Sequence, residues 1–305
     1  MPARLPHRGL WPALLTPLHA NGAVHHERLA GHAQRLLAAG CAGVTLFGTT
    51  GEGPSFAQDE RRAALQAMVA AGIPARQILV HTSCAALPET VALTRHAVGL
   101  GVHGCLVLPP FFLKGVPDAG VLDAYTGLID QVADTRLRLV LYHIPQVCGV
   151  GLAHGVIAEL LRRYPGTVIG LKDSGCQREA SVAYAQAFMP PLQVWVGNEP
   201  DVPELARLGG QGAVSGVANM LPRLVHRLFS VSDPAQVQAD LERVRAFLAL
   251  IGGYGMTAAF KGVMAVLDDE PGWLPVRAPL RALSDAEFVR LRQQLQGFGL
   301  DRARD

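Results

Sequence analysis

The chain has 305 residues, half of them hydrophobic, which is enough to bury one large α/β core or two smaller ones. Its formal net charge is only +2, and no run of like charges indicates binding to nucleic acid or to an anionic membrane. Pro12 and Pro17 interrupt the first apolar segment, and no stretch approaches the roughly 18 apolar residues that a membrane span needs. We therefore expect a globular, cytoplasmic protein with no nucleic-acid or membrane partner.

Thiols and histidines give no sign of a disulfide framework or a metal site. The five cysteines lack any C-x-x-C spacing, which favours reduced intracellular thiols at Cys41, Cys84, Cys105, Cys148 and Cys176. His25 and His26 precede Glu27, but adjacent histidines on one element do not generally share a metal ion. We interpret this group as a solvated helix start and His143 as a packing or supporting residue, and we expect no metal.

A strand pattern alternates with a helical pattern eight times from residue 9 onward. The strands are short and rich in Val, Leu and Ile, as strands buried on both faces are. They are predicted at residues 9–18, 43–48, 77–83, 104–109, 138–145, 168–174, 193–198 and 212–219. Helices between them are predicted at residues 26–39, 59–71, 88–100, 119–133 and 154–163, with Gly40, Gly72, Gly101 and Gly166 at or just after helix exits.

Eight such units predict an α/β fold, a (β/α)8 TIM barrel with a C-terminal helical extension, and an open doubly wound sheet is the alternative. Further helices are predicted at residues 221–230, 234–251, 256–267 and 284–298, the last with Ser284 as its N-cap. We place the barrel at residues 1–232 and the extension at residues 233–305.

Lys172 follows an apolar stretch, residues 168–171, at the end of the sixth predicted strand. Of 27 basic residues only Lys114, Lys172 and Lys261 are lysines. Unlike arginine, a desolvated lysine can lose its proton and attack a carbonyl group to form a Schiff base. The alternative is a lysine whose ammonium group reaches solvent from the strand end.

Two further groups are predicted at strand ends, where a barrel places its reactive side chains. Residues 48–53, Gly-Thr-Thr-Gly-Glu-Gly, offer hydroxyls and backbone N–H groups that suit a carboxylate or phosphate, or they form only a tight turn. Their spacing matches neither a dinucleotide fingerprint nor a P-loop. Tyr142 ends the fifth strand and could relay a proton beside Lys172, or it could be a core tyrosine with one hydrogen bond.

The three motifs together resemble a known family. Gly48-Thr49-Thr50-Gly51-Glu52, Tyr142-x-x-Pro145 and Gly170-Leu171-Lys172-Asp173 look like the dihydrodipicolinate synthase / N-acetylneuraminate lyase family of class I pyruvate-dependent lyases and aldolases. The resemblance covers essentially the whole chain. It implies a homotetramer, often a dimer of dimers, or a dimer, and no metal or organic cofactor.

The resemblance also implies roles for individual residues. Lys172 would form the imine with a 2-keto acid, and Tyr142 would be the general acid/base. Thr49, counted with the catalytic residues, would hold the substrate carboxylate with Thr50. The remaining substrate-binding candidates are small or polar residues at strand ends, namely Gly48, Gly51, Ser174, Glu199 and Gly216, and Pro145 would shape the loop that positions the tyrosine.

Several departures from the family pattern concern the substrate. The synthases carry an arginine shortly after the tyrosine motif, but residues 146–151 contain no basic residue. Their second tyrosine is replaced here by Phe111 and Phe112. Sialic acid lyases carry more acids after the seventh strand, where Glu199 remains, and a serine where Gly216 stands.

We expect a class I lyase that cleaves a 2-keto-3-deoxy sugar acid or a 4-hydroxy-2-keto acid by a retro-aldol reaction. The alternatives are 4-hydroxy-tetrahydrodipicolinate synthase, which condenses pyruvate with aspartate semialdehyde, and a keto-deoxy acid dehydratase. A hypothesis from another class is a non-catalytic barrel that binds a keto acid.

Overall fold

The computed structural model describes residues 8–210, 212–301 and 305. Eight strands belong to one sheet, and helices separate them along the chain. The strands are β1 (Gly9–Pro12), β2 (Val44–Leu46), β3 (Ile78–His81), β4 (Gly104–Val107), β5 (Leu139–His143), β6 (Val168–Asp173), β7 (Gln193–Val196) and β8 (Gly212–Ser215). Eight strand–helix repeats match the predicted barrel pattern.

The helices agree with the predicted ones to within one residue wherever a helix was predicted. They are α1 (His26–Ala38), α2 (Gln58–Ala70), α3 (Leu87–Gly99), α4 (Asp118–Val132), α5 (Pro145–Cys148), α6 (His154–Arg163), α7 (Arg178–Phe188), α8 (Val202–Arg207), α9 (Pro222–Ser230), α10 (Pro234–Ile251), α11 (Met256–Asp268) and α12 (Asp285–Phe298). Ser284 caps α12 as predicted, because its hydroxyl accepts from the Glu287 amide while the Glu287 carboxylate accepts from the Ser284 amide.

All eight strands are shorter than predicted, and β1 and β8 differ most. β1 ends at Pro12 rather than at residue 18, although the residues from Ala13 to Leu15 remain buried. β8 ends at Ser215, and residues 217–219 form a 3₁₀ turn. At the ends of both strands, the apolar pattern in the sequence reflects burial of the side chains. This burial continues beyond the last residue of the strand.

The described residues divide into two compact units. Unit 1 comprises residues 8–9 and 74–214, and within it β3 to β8 run parallel, each paired with the next strand. Unit 2 comprises residues 10–73, 215–301 and 305, including α1, α2 and α9 to α12. The proposed boundary between barrel and extension at residue 232 stays a prediction.

No single helix within the described ranges is long and apolar enough to cross a membrane. α10 and α11 meet the length and composition only as a pair, across a bend of 107°.

Candidate active site

Lys172 and Tyr142 lie side by side at the carboxyl ends of β6 and β5, where the register pairs the two residues directly. The Lys172 Nζ is 3.2 Å from the Tyr142 hydroxyl oxygen and 4.3 Å from the centre of the tyrosine ring. The lysine side chain is buried, with 4% of its residue surface exposed, and the tyrosine has 1%. An amine and a phenol therefore meet inside unit 1, within hydrogen-bonding distance of each other.

Two glycines make room for this pair. A Cβ atom at Gly170, two residues before Lys172, would lie 2.3 Å from Cζ3 of Trp195, so the indole fills the space next to the strand. A Cβ atom at Gly197 would lie 2.1 Å from the Ser174 Oγ and 3.1 Å from the Lys172 Cε. The predicted residue Ser174 is thus brought to the lysine stem, with Gly197 between the two.

The strand end that carries Lys172 is fixed by its neighbour Asp173. One carboxylate oxygen accepts the Gly175 amide at 2.8 Å, and the other accepts the Ser181 hydroxyl at 2.6 Å. The Asp173 carbonyl accepts the Gly197 amide at 2.7 Å. Because Asp173 is 1% exposed, these bonds give a buried carboxylate the partners it needs and hold the turn that follows Lys172.

His143, the residue after Tyr142, supports the site rather than facing it. Its Nδ1 accepts the Leu152 amide at 3.1 Å, and its ring packs edge-on against Tyr184. Burial lowers the pKa of His143, although Asp173 opposes the shift, so the neutral imidazole that accepts this hydrogen bond is favoured. No group of three or more potential metal ligands occurs among the described residues.

The Gly-Thr-Thr-Gly-Glu loop lies in unit 2, and its backbone amides donate hydrogen bonds to carbonyl groups of the same loop. The amides of Gly51 and Gly53 donate to the Gly48 carbonyl, and the Glu52 amide donates to the Thr49 carbonyl. Three of the backbone amides that we predicted as donors to an anion therefore already donate to carbonyl groups of the loop. Thr50 differs, because it is 7% exposed and forms no hydrogen bond to another described residue.

Gly216 lies beside this threonine. A Cβ atom at Gly216 would be 3.1 Å from the Thr50 Oγ1 and 2.8 Å from the Phe260 Cε2 of α11. A serine there would require one of these side chains to move. Gly51 is similarly confined, with a Cβ position 2.6 Å from the Leu14 carbonyl, whereas Gly48 has open space around it.

Two other candidates occupy loops of unit 1. Glu199 is buried at the start of a 3₁₀ turn after β7. Pro145 begins α5, a short helix that the strand prediction for residues 138–145 missed. Lys114 reaches this helix, because its Nζ donates to the carbonyls of Cys148, at 2.5 Å, and of Phe111.

Comparison with known proteins identifies the family of the chain. The model of the dihydrodipicolinate synthetase family matches residues 6–296. The chain belongs to this family. The predicted resemblance is thereby confirmed, as is the prediction of an enzyme of the class I lyase type.

Among its relatives is an uncharacterized DapA-like lyase of Chloroflexus aurantiacus, which is 35% identical over 93% of this chain and 95% of that protein. A 4-hydroxy-tetrahydrodipicolinate synthase of Thermosynechococcus vestitus is 29% identical over 94% of this chain and 96% of that protein. The crystal structure of dihydrodipicolinate synthase from Agrobacterium tumefaciens matches with a TM-score of 0.88 and 31% identity, covering 95% of this chain and 99% of that one. The (β/α)8 barrel is confirmed, and the open-sheet alternative is wrong.

Proposed function

We propose that this member of the dihydrodipicolinate synthetase family forms an imine between Lys172 and a 2-keto acid and breaks the C3–C4 bond of a 4-hydroxy-2-keto acid. The observation that carries the proposal is the 3.2 Å contact between the Lys172 amine and the Tyr142 hydroxyl in a buried setting. A nucleophilic amine needs a neighbouring acid/base within hydrogen-bonding reach, and Tyr142 meets that requirement.

The chemistry balances without an added cofactor. The neutral amine attacks C2 of the keto acid to give a carbinolamine, and Tyr142 donates its phenolic proton to the departing hydroxyl, so that loss of water leaves a protonated imine and a phenolate. Tyr142, as the phenolate, takes the proton of the C4 hydroxyl, the C3–C4 bond breaks, and its electron pair moves into the imine to give an enamine and an aldehyde. Protonation of the enamine at C3 and hydrolysis release pyruvate and restore Lys172. We propose that Thr50 and Thr49 bind the keto-acid carboxylate, since the buried Thr50 forms no hydrogen bond within the described part of the chain.

Condensation of pyruvate with aspartate semialdehyde is the second candidate, favoured by the 29% identity to a 4-hydroxy-tetrahydrodipicolinate synthase. A dehydratase would use the same imine but expel a hydroxyl group. Assays with both substrate types separate the three, because only cleavage releases an aldehyde from the hydroxylated keto acid. We further propose that the enzyme works in the cytoplasm, consistent with five free cysteines.

The mechanism is tested by incubating the protein with pyruvate and borohydride and measuring its intact mass. Wild type is expected to gain a reduced pyruvate adduct at Lys172. Lys172→Arg keeps the charge but cannot condense, so we expect no adduct and a loss of turnover of roughly 10⁴-fold or more. Lys114→Arg is the matched control and should keep both. A non-catalytic keto-acid-binding barrel is favoured instead if Lys172→Arg still binds pyruvate and wild type shows no turnover.

A further inference from the structure

We propose that Lys261 is a positioning residue that holds the Thr49-Thr50-Gly51 loop in its carboxylate-binding form through a buried ion pair with Glu52. This inference rests on the proposed function, in which the loop binds the keto-acid carboxylate. It concerns the third lysine of the chain, which lies on α11 and which no step of the mechanism uses.

The loop is strained at both ends. Phe47, which precedes it, and Glu52, which ends it, both have φ near +57°, in the left-handed region that side-chain-bearing residues rarely adopt. A Cβ atom at Gly53 would lie 1.8 Å from the Phe47 carbonyl oxygen, so the two ends of the loop are in close contact. A backbone in this conformation is kept only where contacts with the surrounding structure hold it in place.

The ion pair supplies that constraint. The Lys261 Nζ is 2.5 Å from one carboxylate oxygen of Glu52, and both side chains are fully buried. The same Nζ donates to the Pro275 carbonyl at 2.6 Å, and the other Glu52 oxygen accepts the Arg277 amide at 2.7 Å. Loss of either charge would leave its partner buried without a counterion, which is strongly unfavourable. Glu52 is therefore tied to two points of the C-terminal region.

α11 also comes near the binding residue Thr50, on the other side of Gly216 from it. Phe260, the neighbour of Lys261, and the Thr50 hydroxyl both lie within 3.1 Å of the Cβ position at Gly216. A shift of Glu52 away from α11 would also displace Thr50, because only Gly51 separates the two residues in the chain. Displacing a substrate-positioning group by about 1 Å can cost roughly 100-fold in rate or binding.

The test measures the pyruvate concentration that gives half-maximal borohydride-trapped adduct. We expect this concentration to rise roughly tenfold or more in Lys261→Met and Glu52→Gln, while the adduct at saturating pyruvate stays on Lys172. The double variant Lys261→Met/Glu52→Gln leaves neither charge of the ion pair buried without its partner. We therefore expect it to fold, and it can be measured if a single variant fails to fold. It should recover stability but not pyruvate affinity.

Arg227→Met is the matched control, because it breaks a partly buried ion pair with Asp240 that links α9 and α10. It should lower the thermal midpoint and leave half-saturation within about twofold of wild type. A double variant with unchanged half-saturation overturns the inference and leaves the proposed function standing. A wild type without an adduct overturns the proposed function and the inference with it.

Discussion

Tyr142 touches Lys172 in two ways that have different chemical consequences. The hydroxyl can exchange a proton with groups near the amine, whereas the ring face attracts a cation such as the protonated imine of the proposed mechanism. Phenylalanine would keep the ring and remove only the hydroxyl. This residue therefore allows the proton transfer to be separated from the electrostatic contact.

We expect Tyr142→Phe to lower kcat by about 10²- to 10⁴-fold, the range for loss of a general acid/base, while the imine adduct still forms. Steady-state kinetics with a 4-hydroxy-2-keto acid, together with borohydride trapping, checks both parts. Tyr125→Phe is the control, because Tyr125 is equally buried but donates to the Val107 carbonyl on β4. A Tyr142→Phe enzyme within tenfold of wild type would assign the proton transfer to another group.

For single residues, the sequence allowed us to predict which positions carry reactive side chains. It did not allow us to predict which distant residues these side chains contact. Lys172 and Tyr142 could be placed together because the ends of neighbouring parallel strands meet at one edge of the sheet. The Lys261–Glu52 pair could not be predicted, since no local pattern links residues so far apart along the chain. For the same reason Lys114 was not expected beside the Cys148 carbonyl. The roles of the site residues stay predictions.

At the scale of elements, the segment after α11 is bound to α2. The Arg277 guanidinium contacts both carboxylate oxygens of Glu60 and stacks on the Phe56 ring, 4.2 Å from its centre. Glu60 also accepts the Ala57 amide at 2.9 Å, so it caps the start of the helix. One carboxylate thus serves both its own helix and a segment over 200 residues away.

This arrangement predicts a pH dependence of stability. The hydrogen bond from Arg277 holds the pKa of Glu60 below its usual value of 4.5, so the stabilisation is present above pH 4.5 and is lost as the pH falls through the lowered pKa. We expect Glu60→Gln to lower the free energy of unfolding by about 1 kcal/mol at neutral pH, and the difference from wild type to shrink under acid conditions.

Urea unfolding at neutral pH and at several values below 4.5 measures this difference. Asp59→Asn is the control on the same helical turn, because Asp59 is 94% exposed and forms an ion pair with Arg62. Its effect should stay within about 0.5 kcal/mol at every pH. A Glu60→Gln difference that grows in acid would contradict the sign of the expected shift.

The elements themselves were largely predictable, and their errors have a common cause. All eight strands occur, because strands buried on both faces leave a continuous apolar pattern. That pattern does not mark where sheet hydrogen bonds end, so β1 and β8 were predicted too long. α5 was missed because four residues with Pro145 at the start carry no helical period.

At the scale of the whole molecule, three exposed apolar side chains indicate a covered surface. Phe112 and Leu113 in the loop after β4 are 75% and 66% exposed, and Val147 on α5 is 60% exposed. Large apolar side chains that cluster at the surface often mark protein contacts. The family resemblance implies a homotetramer or a dimer, and we propose that a second copy of the chain covers this loop.

We expect light scattering coupled to size exclusion to give an oligomeric mass for wild type and a smaller mass for Phe112→Ser/Leu113→Ser, because the change removes apolar surface from the contact. Val289→Ser on α12 is the control, since Val289 is 55% exposed and lies on another element. A wild-type monomer would contradict the proposed assembly. An oligomer that survives the double change would place the contact elsewhere.

The scarcity of lysine has a consequence for the lifetime of the protein. Of its three lysines, Lys172 and Lys261 are buried, and only Lys114 is exposed, where its ammonium group is held by two carbonyls. Arginine stays protonated and does not condense with ketones or aldehydes as an amine does. Under the function proposed above, the protein meets reactive carbonyl compounds and offers them few side-chain amines besides Lys172. Substrates and products of the proposed reaction would therefore have few side-chain amines to glycate.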